Sequence, residues 1–407
     1  MSLLDDVSIV VTPNGYKAGE LYAVIPSDGA ANMDVTRATD ATRVDENGLI
    51  ADVLSNVPRI DYTGGGCPHI LAEPQRTNLV PESEDFSAWT SSNSTLANST
   101  TVVNPSGESS SGLFSVTSGS SNKFSYISVT TTSNLHSYSI FVKYSDVQFI
   151  QLAGGGNTSY ANFDVQNGVL GNTNANSSIE SFGNGWYKCI MTSTSSETFS
   201  NTAVVIIDAL TSARLSSTSE VGSVYIWGAQ LEVGSYPTSY IPTSGSTVTR
   251  NQDIFSRDGI GSLINSTEGV LFVEMAALSN DSTRRSISLS DGTNTNRVVL
   301  RYDNASNRVQ GFIQVGGATN GNINDNSYTI TNFLKIAYKW KAGDFALWIN
   351  GTEVGITADA TSFGAGVLTE MQFNEGDGAG DEYYGKVKQL QVYDTALTDT
   401  QLAALTS

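Results

Sequence analysis

The chain runs to 407 residues, longer than one compact core, so two or three domains are expected. Only 15% of residues are charged, and the polarity comes from Ser, Thr, Asn and Gly, which suit short strands and turns better than long helices. The formal net charge of -19, from 21 Lys and Arg against 40 Asp and Glu, argues against nucleic acid and anionic lipid as partners.

The opening "MSLLDDVSIVV" places two Asp where a signal peptide needs positive charge, and its apolar run is short, so no leader is expected. No apolar run approaches the roughly 18 residues of a membrane span, so no membrane insertion is expected. Short strand candidates follow, "VSIVV", "ELYAVIP" and "MDVTRATDATRVD", broken by "PNG", "SDG" and "ENG". None could bury a core alone, and residues 1–77 read as a hairpin-rich arm for attachment or oligomerisation. Within it, "GGG" at Gly64–Gly66 reads as a positive-φ turn, and "EPQRTNL" as a joint whose Glu73, Gln75, Arg76 and Asn78 hydrogen-bond nearby backbone. Cys67 and Cys189 are the two cysteines, read as reduced, buried thiols.

Residues 78–245 alternate regularly. In "SYSIFVKY", Tyr138, Ile140, Val142 and Tyr144 share one face while Ser137, Ser139, Phe141 and Lys143 share the other. Seven such strands, from "FSYISVTT" to "SVYIWGAQLEV", predict a β-sandwich. After the linker-like "PTSGSTVTRNQD", residues 246–407 give a second series with hairpin turns at "AGD" and "NGT". Thr398 before "DTQLAAL" predicts one short helical turn. The predicted fold is all-β: an N-terminal hairpin-rich arm followed by two antiparallel β-sandwich (jelly-roll) domains.

Three segments in this order, "RATDATRVDENGLI", "NVPRIDYTGGGCPHILAEPQRTNL" and "GAQLEVGSYPTSYIPTSGSTVTR", resemble bacteriophage and prophage structural proteins of the tail-fibre, head-fibre or spike type. Residues 78–243 also resemble carbohydrate-binding jelly rolls, and residues 269–406 the concanavalin/laminin-G type. The resemblance implies a virion-surface protein made in a bacterial cytoplasm, with capsid or tail proteins and host surface glycans as partners. It also implies a homo-oligomer, a trimer being one candidate.

Paired carboxylates on one strand, as glycan-cleaving enzymes of this fold class need, are not found: Glu274 in "LFVEMAAL" is isolated. "PESEDF" places Glu82 and Glu84 at alternate positions in an expected first strand, a solvated or metal-associated pattern. A non-enzyme is expected, with a purely structural decoration protein, a depolymerase and a secreted adhesin as the alternatives. No cofactor is assigned, but structural calcium is entertained at two places. One is the glycine-rich loop "NEGDGAGDE" with Glu375, Asp377 and Asp381; the other, implied by the carbohydrate-module resemblance, uses Glu84 and Glu232. For sugar stacking, tyrosines in polar loops are the candidates: Tyr160, Tyr236, Tyr240 and Tyr328. Trp186, Trp227, Trp340 and Trp348 lie in alternating runs and read as core.

Overall fold

The computed structural model describes residues 6–407; residues 1–5, the start of the stretch read for a leader, lie outside the described residues. Strand accounts for 49% and helix for 3%, as the all-β reading requires. No helix among the described residues is long and apolar enough to cross a membrane. The chain divides into two units, but not at the expected boundaries. Unit 1 comprises the residues up to Asp40, Val53–Pro74 and Gln252–Ser407; unit 2 comprises Ala41–Asp52 and Gln75–Asn251.

The expected arm over residues 1–77 is therefore corrected: most of it belongs to unit 1. Val7–Lys17 lies in mid-sheet, antiparallel to Glu20–Ile25 on one side and to Gly385–Tyr393 on the other. The cause is visible in "VSIVV". Ile9 and Val11 enter the main core of unit 1, while Val7 and Val10 enter a second apolar cluster, so both faces need cover.

Among the described residues, sixteen strands of unit 1 share one hydrogen-bonded sheet. One wing runs through Glu268–Ala277, Leu334–Lys341, Phe345–Ile349 and Thr352–Thr357. The other runs through Glu370–Gln372, Arg285–Ser290, Arg297–Tyr302, Val309–Val315 and Ala318–Asp325. The wings face each other across the core: Tyr338 Oη donates to Gly321 O at 2.7 Å, and a Cβ on Gly311 would stand 2.3 Å from the Tyr338 ring. Close approach of the two layers there requires glycine. Helix α1, Asp399–Thr406, is longer than the single turn expected and starts with a capping box between Thr398 and Gln401. Its Leu402 covers the second cluster with Val270, Phe272 and Trp348.

Four buried charged side chains tie three chain segments of unit 1 together. Arg59 bonds Glu73 at 2.6 Å and also Asp253, whose second oxygen accepts from Arg37 at 2.9 Å. The Arg37 guanidinium further donates to the carbonyls of Val57 at 3.0 Å and Leu54 at 2.7 Å. Asp253 N donates to Glu73 O at 3.0 Å, and Glu73 N to the Asp253 carboxylate at 2.9 Å. Burial opposes the Arg59 charge, but the Asp253 and Glu73 carboxylates hold its pKa above the ordinary value. Gly64, Gly65 and Gly66 take positive φ, as expected of a turn. Cys67, next in that turn, is exposed, correcting the expected burial; Cys189 is buried in the unit 2 core.

Unit 2 is a sandwich of two six-stranded antiparallel sheets. One contains His136–Tyr144 between Trp186–Thr192 and Gly222–Val233. Tyr138, Ile140 and Val142 point to the core as read, but Phe141 on the opposite face joins Trp186, Trp227, Tyr240 and Ile50 in a separate buried cluster. "PESEDF" forms no strand; Phe86–Ala88 is a single 3₁₀ turn. Where chain enters and leaves unit 2, Arg76–Asn78 pairs with Val248–Arg250, so the joint reading of "EPQRTNL" holds. Asn78 carries it: its Nδ2 donates to Ala229 O at 3.1 Å and Ile241 O at 2.8 Å, and its Oδ1 accepts from Val80 N and Leu231 N, each at 3.1 Å. Asn78→Ala orphans four buried backbone groups and is expected to destabilise by about 2 kcal/mol, measured as a lowered denaturation midpoint.

Candidate functional site

The second sheet of unit 2 has an outer face unlike a solvated strand surface. Lys123–Ser128, Asn201–Ile206, Phe149–Gly155 and Tyr160–Asp164 are neighbours in that order. Period-two alternation sends Ile127, Val204, Ile206, Ile150, Leu152, Ala161 and Phe163 into the core. It leaves Tyr126, Ala203, Ala153 and Tyr160 in one row across the four strands, because each is the register partner of the next. The outer strands are three spacings apart, about 14 Å.

The two alanines are 4% and 1% exposed and form a buried floor with Val205 and Ile207, against which Tyr126, Tyr160, Phe124, Phe149 and Leu215 pack while staying partly exposed. Small side chains in the middle of the row leave room for the aromatic rings at its ends, which keeps the face apolar and still wet at its edge. Tyr160 is fixed by its backbone: its N donates to Asn174 Oδ1 at 2.8 Å and its O accepts from Thr173 Oγ1 at 2.9 Å.

Polar groups border the row. In the adjacent row Gln151 donates to Asn162 Oδ1 at 2.7 Å, and its Oε1 accepts from Leu215 N at 2.8 Å. Asn162 in turn donates to Leu210 O at 3.0 Å and Ser212 O at 2.8 Å. These amides hold the segment carrying Arg214 on this face, where the Arg214 guanidinium donates to Gly154 O. Burial lowers the Arg214 pKa, with Glu197 opposing. Arg214 Nε is buried without a hydrogen-bond partner. Gly155 is needed here, since a Cβ would stand 2.4 Å from Asn201 Nδ2, whose Oδ1 takes the Gly155 N–H at 2.7 Å. The result is an aromatic-apolar row bordered by polar groups, a pattern that suits the apolar face of a saccharide ring.

No protein-family model and no curated protein matches this chain. Among solved structures, part of the chain is similar to the CBM40 module of the Ruminococcus gnavus IT-sialidase, solved with α2,3-sialyllactose. Identity is 19% over 35% of this chain and 83% of that one, with a TM-score of 0.31. Domain 4 of AbnA, a GH43 arabinanase from Geobacillus stearothermophilus solved with arabinotriose, gives 12%, 43% and 84% at 0.31. A SAP-like pentraxin from Limulus polyphemus gives 16%, 35% and 71% at 0.30.

Of the four tyrosines proposed from sequence, only Tyr160 lies in this row. Tyr236 is buried with its ring 5.5 Å under the Arg76 guanidinium. Tyr240 is buried against Trp227 at 4.6 Å, shares a hydrogen bond with Ser83 at 2.6 Å and donates to Glu84 at 2.8 Å. Tyr328 packs on the unit 1 core. Tyr236 and Tyr240 are packing residues because tertiary cover claims loops that look open in sequence, whereas Tyr328 stays partly exposed on unit 1. The four tryptophans are buried as expected. Tyr126 was legible only as one position of "FSYISVTT"; Ala153, Ala203 and Arg214 carried no signal, since their roles come from register across strands.

The residues considered for calcium are engaged in other contacts. Among the described residues no three His, Cys, Asp or Glu side chains converge on a metal position. Glu375 pairs with Arg297 at 3.1 Å, Asp381 faces Arg284 and Arg301, and Asp377 accepts the Ala379 N–H at 3.1 Å. Glu232 accepts from Thr238 N at 2.9 Å, and Glu84 from Tyr240.

Glu84 has a measurable signature. Burial first, then the Glu108 and Asp52 charges, raise its pKa despite the Tyr240 hydrogen bond. A raised folded pKa means stability present below the unfolded carboxyl value and lost as pH rises through the folded one. Glu84→Gln is therefore expected to raise the melting temperature at neutral pH, with the gain vanishing as the pH falls below the ordinary carboxylate range. An equal gain at all pH values would contradict this.

Proposed function

We propose that this chain is a non-catalytic adhesion protein of a phage virion surface, which engages host-surface glycans through the outer face of the second unit 2 sheet. The observation that carries the binding reading is the row Tyr126, Ala203, Ala153, Tyr160, partly exposed rings over a small-residue floor with the Gln151, Asn162 and Arg214 side chains beside it. The virion reading is supported by the three sequence segments that resemble phage fibre and spike proteins. The non-catalytic reading is supported by how the carboxylates on this side are occupied. Asp164 accepts from Gln148, Gln166 N and Asn167, and Glu197 from Thr158 and Ser159, so both serve as turn acceptors.

A single shallow row binds weakly, and a homo-oligomer such as a trimer displaying several copies would raise avidity by orders of magnitude without new contacts. The test is the intact chain on an array of bacterial surface polysaccharides, with chromatography of each ligand after incubation. Retention of at least one polysaccharide, lost in Tyr160→Ala and without shortened products, is expected. Silence across the array would favour a purely structural decoration protein, and shortened products would make the chain a depolymerase.

A further inference from the structure

Unit 1 carries a second polar face, built on different chemistry. On the wing Arg285–Ser290, Arg297–Tyr302 and Val309–Val315, residues Ile287, Leu289, Val298, Leu300 and Ile313 point into the core. Alternation then turns Ser286, Ser288, Arg297, Arg301 and Phe312 to the side away from the core, where they are nevertheless buried, with Ser286 opposite Arg301 and Ser290 opposite Arg297. Both guanidiniums share one ring, lying 4.9 Å (Arg301) and 5.9 Å (Arg297) from the Phe312 centroid. Arg284 and Arg308 join them through Asp303, at 2.9 Å and 3.3 Å. Four arginines therefore meet three carboxylates, Asp303, Glu375 and Asp381, in a chain whose net charge is -19.

Two observations mark this face as built for a ligand. Arg301 spends its Nε on Gln310 Oε1 at 2.8 Å, but its two terminal nitrogens meet only carboxylate oxygens at 3.2 Å and 3.7 Å, so the fork is not closed by a bidentate partner. Beside it, Ser286 Oγ, Ser288 Oγ and Gln372 Oε1 are buried with no hydrogen-bond partner. The glycine-rich loop lies above, its Gly376 O accepting from Ser290 Oγ at 2.8 Å. From this loop Asp381 stands 3.7 Å from Arg301 and 3.8 Å from Arg284, too far to bond and near enough to mark where a carboxylate is attracted. Burial and then Glu375 raise the Asp381 pKa.

We propose that this arginine face binds the carboxylate of an acidic saccharide, with Arg301 and Arg284 on the carboxylate, Ser286, Ser288 and Gln372 on neighbouring hydroxyls, and Asp381 as the internal group the ligand displaces. The open fork of Arg301 can take a carboxylate bidentately, and a sulfated control tests whether it prefers one to a tetrahedral anion. The face belongs to unit 1, so its failure and that of the Tyr126–Tyr160 row are separate results. The test is calorimetric titration of the intact chain with oligogalacturonate and oligosialic acid, against neutral oligogalactose and a sulfated oligosaccharide. At least one carboxylated probe is expected to bind about tenfold or more tighter than both controls. Arg301→Gln, and also Arg301→Lys with its charge kept and its fork lost, should each weaken that binding about tenfold. Asp381→Asn should strengthen it several-fold by removing the competing charge, and Tyr160→Ala should leave it unchanged. No binding of either carboxylated probe, equal binding of a control, or an Asp381→Asn variant no tighter than wild type would overturn the proposal.

Discussion

Asp253→Ala is expected to destabilise unit 1 by about 3–5 kcal/mol, more than any other single change considered for this protein. The side chains of Arg37, Arg59 and Asp253 are fully buried and that of Glu73 nearly so, and they hold one another. Removing Asp253 leaves two buried guanidiniums facing one carboxylate, and removes the acceptor of the Glu73 N–H. The penalty comes from stranded charge, since an intact buried ion pair adds little net stability against its own desolvation cost. Denaturant unfolding followed by hydrogen exchange of the Val7–Lys17 and Gly385–Tyr393 amides reads unit 1 directly, because chain-wide signals mix two units. A loss below about 1 kcal/mol would show that water or a rearranged Glu73 replaces Asp253 without cost.

Tyr126→Ala combined with Tyr160→Ala is expected to weaken glycan binding about a hundredfold, close to 3 kcal/mol, with each single variant costing about tenfold. The rings stand at opposite ends of the four-residue row, joined only through the alanine floor. Their effects should add to within about 0.5 kcal/mol, as separated positions do. Fold is not at stake, since both rings pack on the outside of the sheet and the core below is built from other residues. Unchanged far-ultraviolet dichroism in the double variant checks that point. A bulky floor is a complementary probe: Ala153→Phe should block the row with both tyrosines in place.

The strand-rich character was plain from composition and alternation, but the unit boundaries were not. Val7–Lys17 pairs with a strand nearly 400 residues later in the chain, and local pattern holds no record of such a partner. One clue was available: "VSIVV" is apolar at consecutive positions, the mark of a strand covered on both faces, which does not fit a free arm. Edge strands such as Thr95–Ser99, Val169–Thr173 and Asn176–Ser181 carry little strand signal, because half-exposed edges tolerate Asn, Ser and Gly, which read as loop. Tyr160 was legible as an aromatic among asparagines, whereas its partners in the row are set by register. The contacts of the acidic loop were hidden for a related reason. Glu375 and Asp381 read as oxygen donors for a cation, while Arg284, Arg297 and Arg301, some 80 or more residues earlier, stand beside them in the fold.

The central claim is that a sheet face of unit 2 holds sugar without cutting it. Its most direct measurement is equilibrium titration of the intact chain, wild type and the Tyr126→Ala/Tyr160→Ala double variant in parallel, with an oligosaccharide from the best-retained polysaccharide of the array. Saturable binding by wild type, about a hundredfold weaker in the double variant and with the oligosaccharide recovered at its original length, is the predicted result. Equal affinity of the two proteins, or a shortened oligosaccharide, would contradict it.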